Sequence, residues 1–330
     1  MPAVKASPLR VDSVRFATRE QWLAARHGWV GGSDAAAILG LDPSRSVVEV
    51  WAQKRSSGPP DRVDDERAFW GLELEEAIGR GFGKRHGREV RRPRPITVFF
   101  NAAFAGRATP DFFQRMPADY VRQLFARADR EPPPRISTQG VLQIKTADLW
   151  IASHWEDEPP LKAQIQLQHE MAACGVHWGT LACLVGGNTL RWFDDVLRPE
   201  FVAKLDVRIR QFQHQVLNGI MPAVDGSASC RAALNALYPQ HLPGLVVALP
   251  PEAEAIAADL VVAKDEIKAW EKREAELSNQ LRAMIGEAEV GVLPSGVCYT
   301  LKTESRKQHI VAASSSRVLR RKKAPPAAMI

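Results

Sequence analysis

Gly140-Val141-Leu142-Gln143-Ile144-Lys145-Thr146 reads as a β-strand with two chemically different faces. A period of two puts Val141, Gln143 and Lys145 on one side and Leu142 and Ile144 on the other, so Gln143 and Lys145 line a common site. Upstream lies Thr109-Pro-Asp111, and downstream a glutamine-rich segment. That order matches a particular chemistry. Hydrolysis of a phosphodiester needs a carboxylate to hold a divalent cation and an ammonium to polarise water or neutralise charge on the phosphorane. Asp111 and Lys145 supply those two parts. Gln143 is neutral where a second anionic ligand is expected.

Composition sets the frame around this strand. With 330 residues, 45% hydrophobic and 25% charged, the chain has room for a real core and two domains. The net charge of +6 is concentrated in two places. Arg80, Lys84, Arg85, Arg88, Arg91, Arg92 and Arg94 are opposed only by Glu89, and Arg317-Val-Leu-Arg-Arg-Lys-Lys323 forms a second cluster. Both fit a polyanionic partner such as nucleic acid, against the plainer alternative of a solvated helix face and a disordered tail. No apolar stretch approaches the roughly 20 residues that span a bilayer, and no charged-then-apolar signal pattern opens the chain, so a cytoplasmic protein is expected. Cys174, Cys183, Cys230 and Cys298 are scattered without a CxxC pair. That spacing argues against a zinc knuckle and makes reduced thiols the default over an iron-sulfur cluster.

Hydrophobic period and turn residues predict the elements. Gly31-Gly-Ser33-Asp34 reads as a glycine turn with a Ser or Asp cap, opening a short helix that stops at Gly40, and such an N-terminus suits an anion. A helix over Asp64 to about Arg85 carries Gly71, Glu75, Ile78 and Phe82 on one stripe, which turns Glu75 inward and Glu73 and Glu76 outward. Strands are predicted at Ile96–Phe100 and Phe104–Ala108, and a hairpin over Thr180–Val185 and Leu190–Phe193 turns at Gly186-Gly-Asn188. The 31 residues between Asp111 and Gln143 exceed a hairpin loop, so an inserted flap with a short helix is expected, its arginines either riding over a nucleic-acid backbone or belonging to a surface excursion without a role. Helices are predicted at Pro159–Cys174, with Lys162, Gln166 and His169 on one side, and at Arg198–Asn218. From Ile256 to Met284 apolar residues alternate spacings of four and three, interrupted at Glu274, which predicts either a coiled-coil-like helix or an antiparallel hairpin of helices. A small hairpin over Val292–Leu301 follows.

In this order the motifs resemble those of the YqaJ-type viral recombinases, relatives of phage lambda exonuclease in the PD-(D/E)xK nuclease superfamily. The likeness covers roughly residues 21–195. The family's Arg and Gly-(Ala/Gly)-Ser pattern falls on Arg26 and Gly31-Gly-Ser33, its Gly-x-x-x-Glu on Gly71 and Glu75, and its Ser/Thr-Pro-Asp on Thr109-Pro-Asp111. Its Glu-x-Lys falls on Gln143-Ile-Lys145, and its glutamine helix on Gln166-Leu-Gln168-His169. The resemblance implies an α/β (α+β) restriction-endonuclease-like core, a mixed central sheet flanked by helices, with a C-terminal helical extension and hairpin. The expected domains are 1–225 (nuclease, insert 114–138), 226–249 (linker) and 250–330 (heptad helix, hairpin and basic tail).

The resemblance also implies a function. Asp111, Glu75 and Gln143 would hold Mg²⁺ or Mn²⁺, Lys145 would orient or activate water, and Gln166 would position substrate or the lysine. Arg26, Ser33 and Thr109 would hold a terminal 5′-phosphate. The expected enzyme is a metal-dependent exonuclease acting 5′ to 3′ on linear double-stranded DNA and leaving 3′ overhangs for phage-type recombination. A ring-shaped homo-oligomer, a single-strand annealing partner and a phage or prophage origin in a bacterial host are implied as well. Two other readings use the same residues: a structure-selective endonuclease, and a catalytically weak DNA-binding scaffold, because Gln143 stands where the family has Glu.

Overall fold

The computed structural model describes residues 11–56 and 66–305, which fall into two compact units divided between Leu237 and Tyr238. The first unit runs β1 (Val11–Phe16), α1 (Arg19–Ala25), α2 (Gly32–Ile38), α3 (Val47–Arg55), α4 (Glu66–His86), β2 (Glu89–Arg91), β3 (Ile96–Asn101) and β4 (Phe104–Ala108). It continues with β5 (Phe112–Arg115), α5 (Ala118–Arg127), β6 (Gln139–Ala147), α6 (Leu161–Cys174), β7 (Trp178–Val185), β8 (Thr189–Val196), α7 (Pro199–Asn218) and α8 (Ala228–Leu237).

Five strands form the central sheet in the order β2-β5-β6-β7-β8, with β6 and β7 parallel and every other pair antiparallel. A parallel pair needs a crossover, and α6 provides it. The alternation along β6 divides the packing as expected. Leu142 and Ile144 join Ile78, Phe82 and Phe112 in a core beneath α4, while Val141 joins Leu167, Met171 and Leu181 in the larger core on the α6 side. Ten of the fourteen residues of α6 are buried, which makes it the central helix of the unit. Its end at Gly175, with φ of 62°, uses the left-handed conformation that glycine adopts without strain.

Several expectations are corrected here. The strand at 96–101 pairs with β1 on one side and the strand at 104–108 on the other, in a separate antiparallel sheet of order β1-β3-β4. The stretch after Asp111 contains the expected short helix, α5, but opens with a strand. Residues 112–115 are a strand of the central sheet, and α5 packs Val121, Leu124 and Phe125 against Trp178 and Val196. Trp178 opens β7 beside the start of β6, whereas Lys145 lies toward the other end of that strand. The linker placed at 226–249 starts later, because α8 packs Cys230 and Ala233 against Val48 of α3. The cap of α2 is Gly31, whose N–H donates to Asp34 Oδ2 at 3.1 Å. Residues 64 and 65, expected to open α4, and the basic tail at 317–323 lie outside the described residues.

In the second unit α9 (Glu252–Ile285) is followed by a hairpin of β9 (Val290–Val292) and β10 (Cys298–Thr300). Ile256, Leu260, Ile267, Trp270, Leu277 and Met284 of the heptad stripe are exposed. No described helix is long and apolar enough to cross a membrane.

Candidate active site

Asp111 ends the loop that enters β5, and the β5–β6 pairing sets it beside the middle of β6. Its Oδ2 accepts the Ile144 N–H at 2.8 Å, which fixes the carboxylate against the strand that carries Gln143 and Lys145. Lys145 Nζ donates to Gln166 Oε1 at 2.9 Å, and Gln166 Nε2 donates to Glu170 Oε1 at 2.8 Å. Lysine, amide and carboxylate therefore form one chain from β6 to α6. Gln166 and Glu170 are one helical turn apart on the same face, so the sequence spacing held the signal that Glu170 accompanies Gln166. His169 points elsewhere. It is buried with Nε2 on the Arg107 carbonyl at 3.0 Å and its ring against Phe104.

Glu75 comes from the opposite side of the sheet, on α4. That helix approaches β6 at Gly71, where an added Cβ would sit 3.6 Å from Thr146 Oγ1. The inward placement expected of Glu75 holds, but its carboxylate is engaged by Arg92 at 2.6 Å. Arg92 also reaches Glu76, as does Arg94. Arg88 is buried and forms a two-pronged pair with Asp194 at 2.8 and 2.7 Å, with further bonds to Gln114, Thr180 and Tyr120. Three arginines of the expected basic patch thus pair with carboxylates of the same chain, Arg88 buried and Arg94 at the surface.

The electrostatics of the cluster point to a missing positive charge. Burial, then the neighbouring Glu75, push the Asp111 carboxyl up to about 7. Burial, then Asp111, push Glu170 up to about 8. Burial raises Glu75 too, against the pull of Arg92 and Lys145. In addition, two buried acceptor oxygens have no hydrogen-bond partner among the described residues, Gln143 Oε1 and Glu170 Oε2. Carboxylates held near one another, with acceptors lacking donors, are what a hard divalent cation takes as ligands. The residues present therefore fit such an ion. Among the described residues no three His, Cys, Asp or Glu side chains stand together as a metal-holding group, in keeping with Glu75 being drawn toward Arg92.

Beside this cluster lies a basic cleft of about 530 Å³, lined by Arg26, His27, Asp34, Arg45, Gln53 and Lys54. Arg26 donates to Ser33 Oγ and stacks on Trp22, whose Nε1 donates to Thr109 Oγ1 at 3.2 Å. The three residues expected at a terminal phosphate are thereby linked. Asp34 holds the floor through Arg45 at 2.8 Å and Lys54 at 2.9 Å. Burial alone would raise its pKa, but Lys54, Arg26 and Arg45 outweigh that and hold it far below the usual range. Arg45, Lys54 and Glu170 were not found in the sequence; the first two lie in the loop after α2 and in α3, beyond the Gly31-Gly-Ser33 motif. Helix α2, which carries Asp34 of the cleft, packs against the carboxylate cluster at Gly32, where a Cβ would lie 3.0 Å from Gln166 Cγ and 3.2 Å from Glu170 Oε1.

A mixed sheet covered by helices on both faces, with an acidic residue and a lysine brought together at β5 and β6, defines the class as an α/β protein. Residues 21–177 match the YqaJ-like viral recombinase domain. The chain is 26% identical over 280 residues to the uncharacterized protein YqaJ of Bacillus subtilis (strain 168), covering 84% of this chain and 81% of that one. Among solved structures it is similar to LHK-Exo in complex with dAMP, at 18% identity and a TM-score of 0.46, covering 61% of this chain and 94% of that one. It is also similar to a phage related exonuclease from Haemophilus somnus 129PT, at 15% identity and a TM-score of 0.38, covering 58% and 96%.

Proposed function

We propose that this chain is a Mg²⁺-dependent DNA exonuclease of phage-type recombination, working from the 5′ end of linear duplex DNA. The observation that carries this reading is the lysine–carboxylate cluster packed against helix α2, whose Asp34 lies in the basic cleft. A terminal 5′-phosphate in the cleft would meet Arg26, Ser33 and Arg45, and the next phosphodiester would then lie toward Lys145. Phosphate contacts position the strand without reading its sequence, which suits an enzyme that degrades any end.

Asp111 and Gln143, with Glu75 once released by Arg92, are the proposed metal ligands. When bound, Mg²⁺ or Mn²⁺ supplies Lewis-acid activation of the scissile phosphate and of water. Lys145 is held by Gln166, so its ammonium is oriented before substrate arrives and can stabilise charge developing on the phosphorane or orient the attacking water. The proposal includes action in a bacterial cytoplasm, a homo-oligomer and a single-strand annealing partner; these rest on the family alone.

The test compares 5′-phosphorylated linear duplex, 5′-hydroxyl linear duplex and closed circles, each with Mg²⁺ or chelator. The first should be degraded in Mg²⁺ alone, the second more slowly, and circles not at all. Arg26→Ala should erase the preference for the 5′-phosphate. Cutting of closed circles at the linear rate would replace the exonuclease reading with an endonuclease one, and retention of DNA without hydrolysis would replace it with a scaffold.

A further inference from the structure

Where the family pattern has a strand carboxylate, this chain has Gln143, and the site would be one negative charge short. We infer that Glu170 on α6 supplies the anionic metal ligand that Gln143 cannot, so that the carboxylate has moved from strand to helix while the site keeps its charge. This rests on the metal-dependent reading above and names a ligand within it.

Four observations carry the assignment. Glu170 is 3% exposed and Gln143 is 5% exposed, so neither carboxylate nor amide is solvated. Each has one acceptor oxygen without a partner, Glu170 Oε2 and Gln143 Oε1, and two acceptors cannot satisfy each other without a cation or a proton between them. The other Glu170 oxygen is fixed by Gln166 Nε2, whose carbonyl is fixed in turn by Lys145, so Glu170 is already oriented by a hydrogen-bonded support. Finally, β6 and β7 are parallel, so α6 must run back along β6. Lys145 meets Gln166; from there Gln143 lies about 7 Å back along the strand and Glu170 about 6 Å further along the returning helix, which brings the two toward the same level.

Gly32 completes the site. The close approach of α2, with a Cβ at Gly32 3.0 Å from Gln166 Cγ and 3.2 Å from Glu170 Oε1, covers the carboxylate on that side and leaves its partnerless oxygen to a ligand from within the site.

The experiment measures Mn²⁺ binding by the full chain without DNA, by calorimetry and by the Mn²⁺-induced rise in unfolding midpoint, for wild type, D111N, E170Q, Q143E and the exchange Q143E/E170Q. E170Q should weaken Mn²⁺ affinity by about tenfold or more. The exchange should restore affinity to near wild type, because the charge returns to the strand. E170Q binding as wild type does, or the exchange remaining as weak as E170Q, would overturn the assignment and leave Glu170 as the protonated partner of Gln143. Should E170Q lose the wild-type circular dichroism spectrum, the exchange decides on the same criterion. D111N separates the two levels: if it too binds Mn²⁺ as wild type does, the metal-site reading itself fails, whereas loss in D111N with no loss in E170Q removes Glu170 alone.

Discussion

Asp111, Glu170 and Glu75 were gathered around Lys145 by a fold that leaves their charge only partly balanced, and that has a pH signature. Asp111 near 7 and Glu170 near 8 lie above the ordinary carboxylate range, so between about pH 4 and pH 8 the folded chain binds more protons than the unfolded one. Their contribution to stability is fully present below about pH 4 and is lost as pH rises through 7 and 8. Buried His169, lowered to about 4 by desolvation, works the opposite way, but only below its ordinary value of about 6.5. The unfolding midpoint of the chelator-treated protein should therefore fall from pH 6.5 to 8.5, and millimolar Mg²⁺ should shrink that fall. A midpoint that rises over this range in chelator would contradict the charge balance described.

At the scale of elements, α4 owes its approach to the sheet to glycine. A Cβ at Gly79 would lie 2.4 Å from the Phe112 ring, whereas one at Gly81 would meet nothing within 4 Å. Gly79→Ala should destabilise by about 1–3 kcal/mol through overpacking. Gly81→Ala should stabilise by about 0.5–1 kcal/mol, as expected in an exposed helix interior. Urea denaturation of both variants checks the pair, and equal shifts would mean that α4 does not seat at Gly79. Elements differed in how clearly the sequence announced them. β6 was legible because its alternation separates polar from apolar faces, and α6 because its glutamines and apolar residues follow a helical period. Helix α3 was missed since Val47-Val-Glu-Val-Trp51 is rich in residues that favour strands, and its helix exists because Val48, Val50 and Trp51 are buried. Arg88 was read as surface charge because its partner Asp194 lies 106 residues away, a distance no local pattern crosses. Glu170, in contrast, was one helical turn from Gln166 and lay in plain view of the i, i+4 rule.

On the scale of the whole molecule, the boundary between units falls at Leu237 and Tyr238, not at 225. The reason is local: α8 covers Val48, and Ser229 Oγ accepts the Ser46 N–H at 2.8 Å. A fragment of residues 1–237 should unfold cooperatively with the stability of the full chain's first unit. A fragment of 1–225 should unfold at a lower urea concentration, because truncation uncovers the apolar face of α3. Equal midpoints for the two fragments would show that α8 contributes nothing to the unit.

All of these scales meet at the proposed convergence of Asp111 and Lys145 on one phosphodiester, and single-turnover hydrolysis of 5′-phosphorylated linear duplex in Mg²⁺ tests it most directly. Lys145→Ala should slow that step by about 10²–10⁴-fold, with DNA retention and the unfolding midpoint close to wild type. A folded Lys145→Ala variant that cleaves within twofold of the wild-type rate would contradict the account.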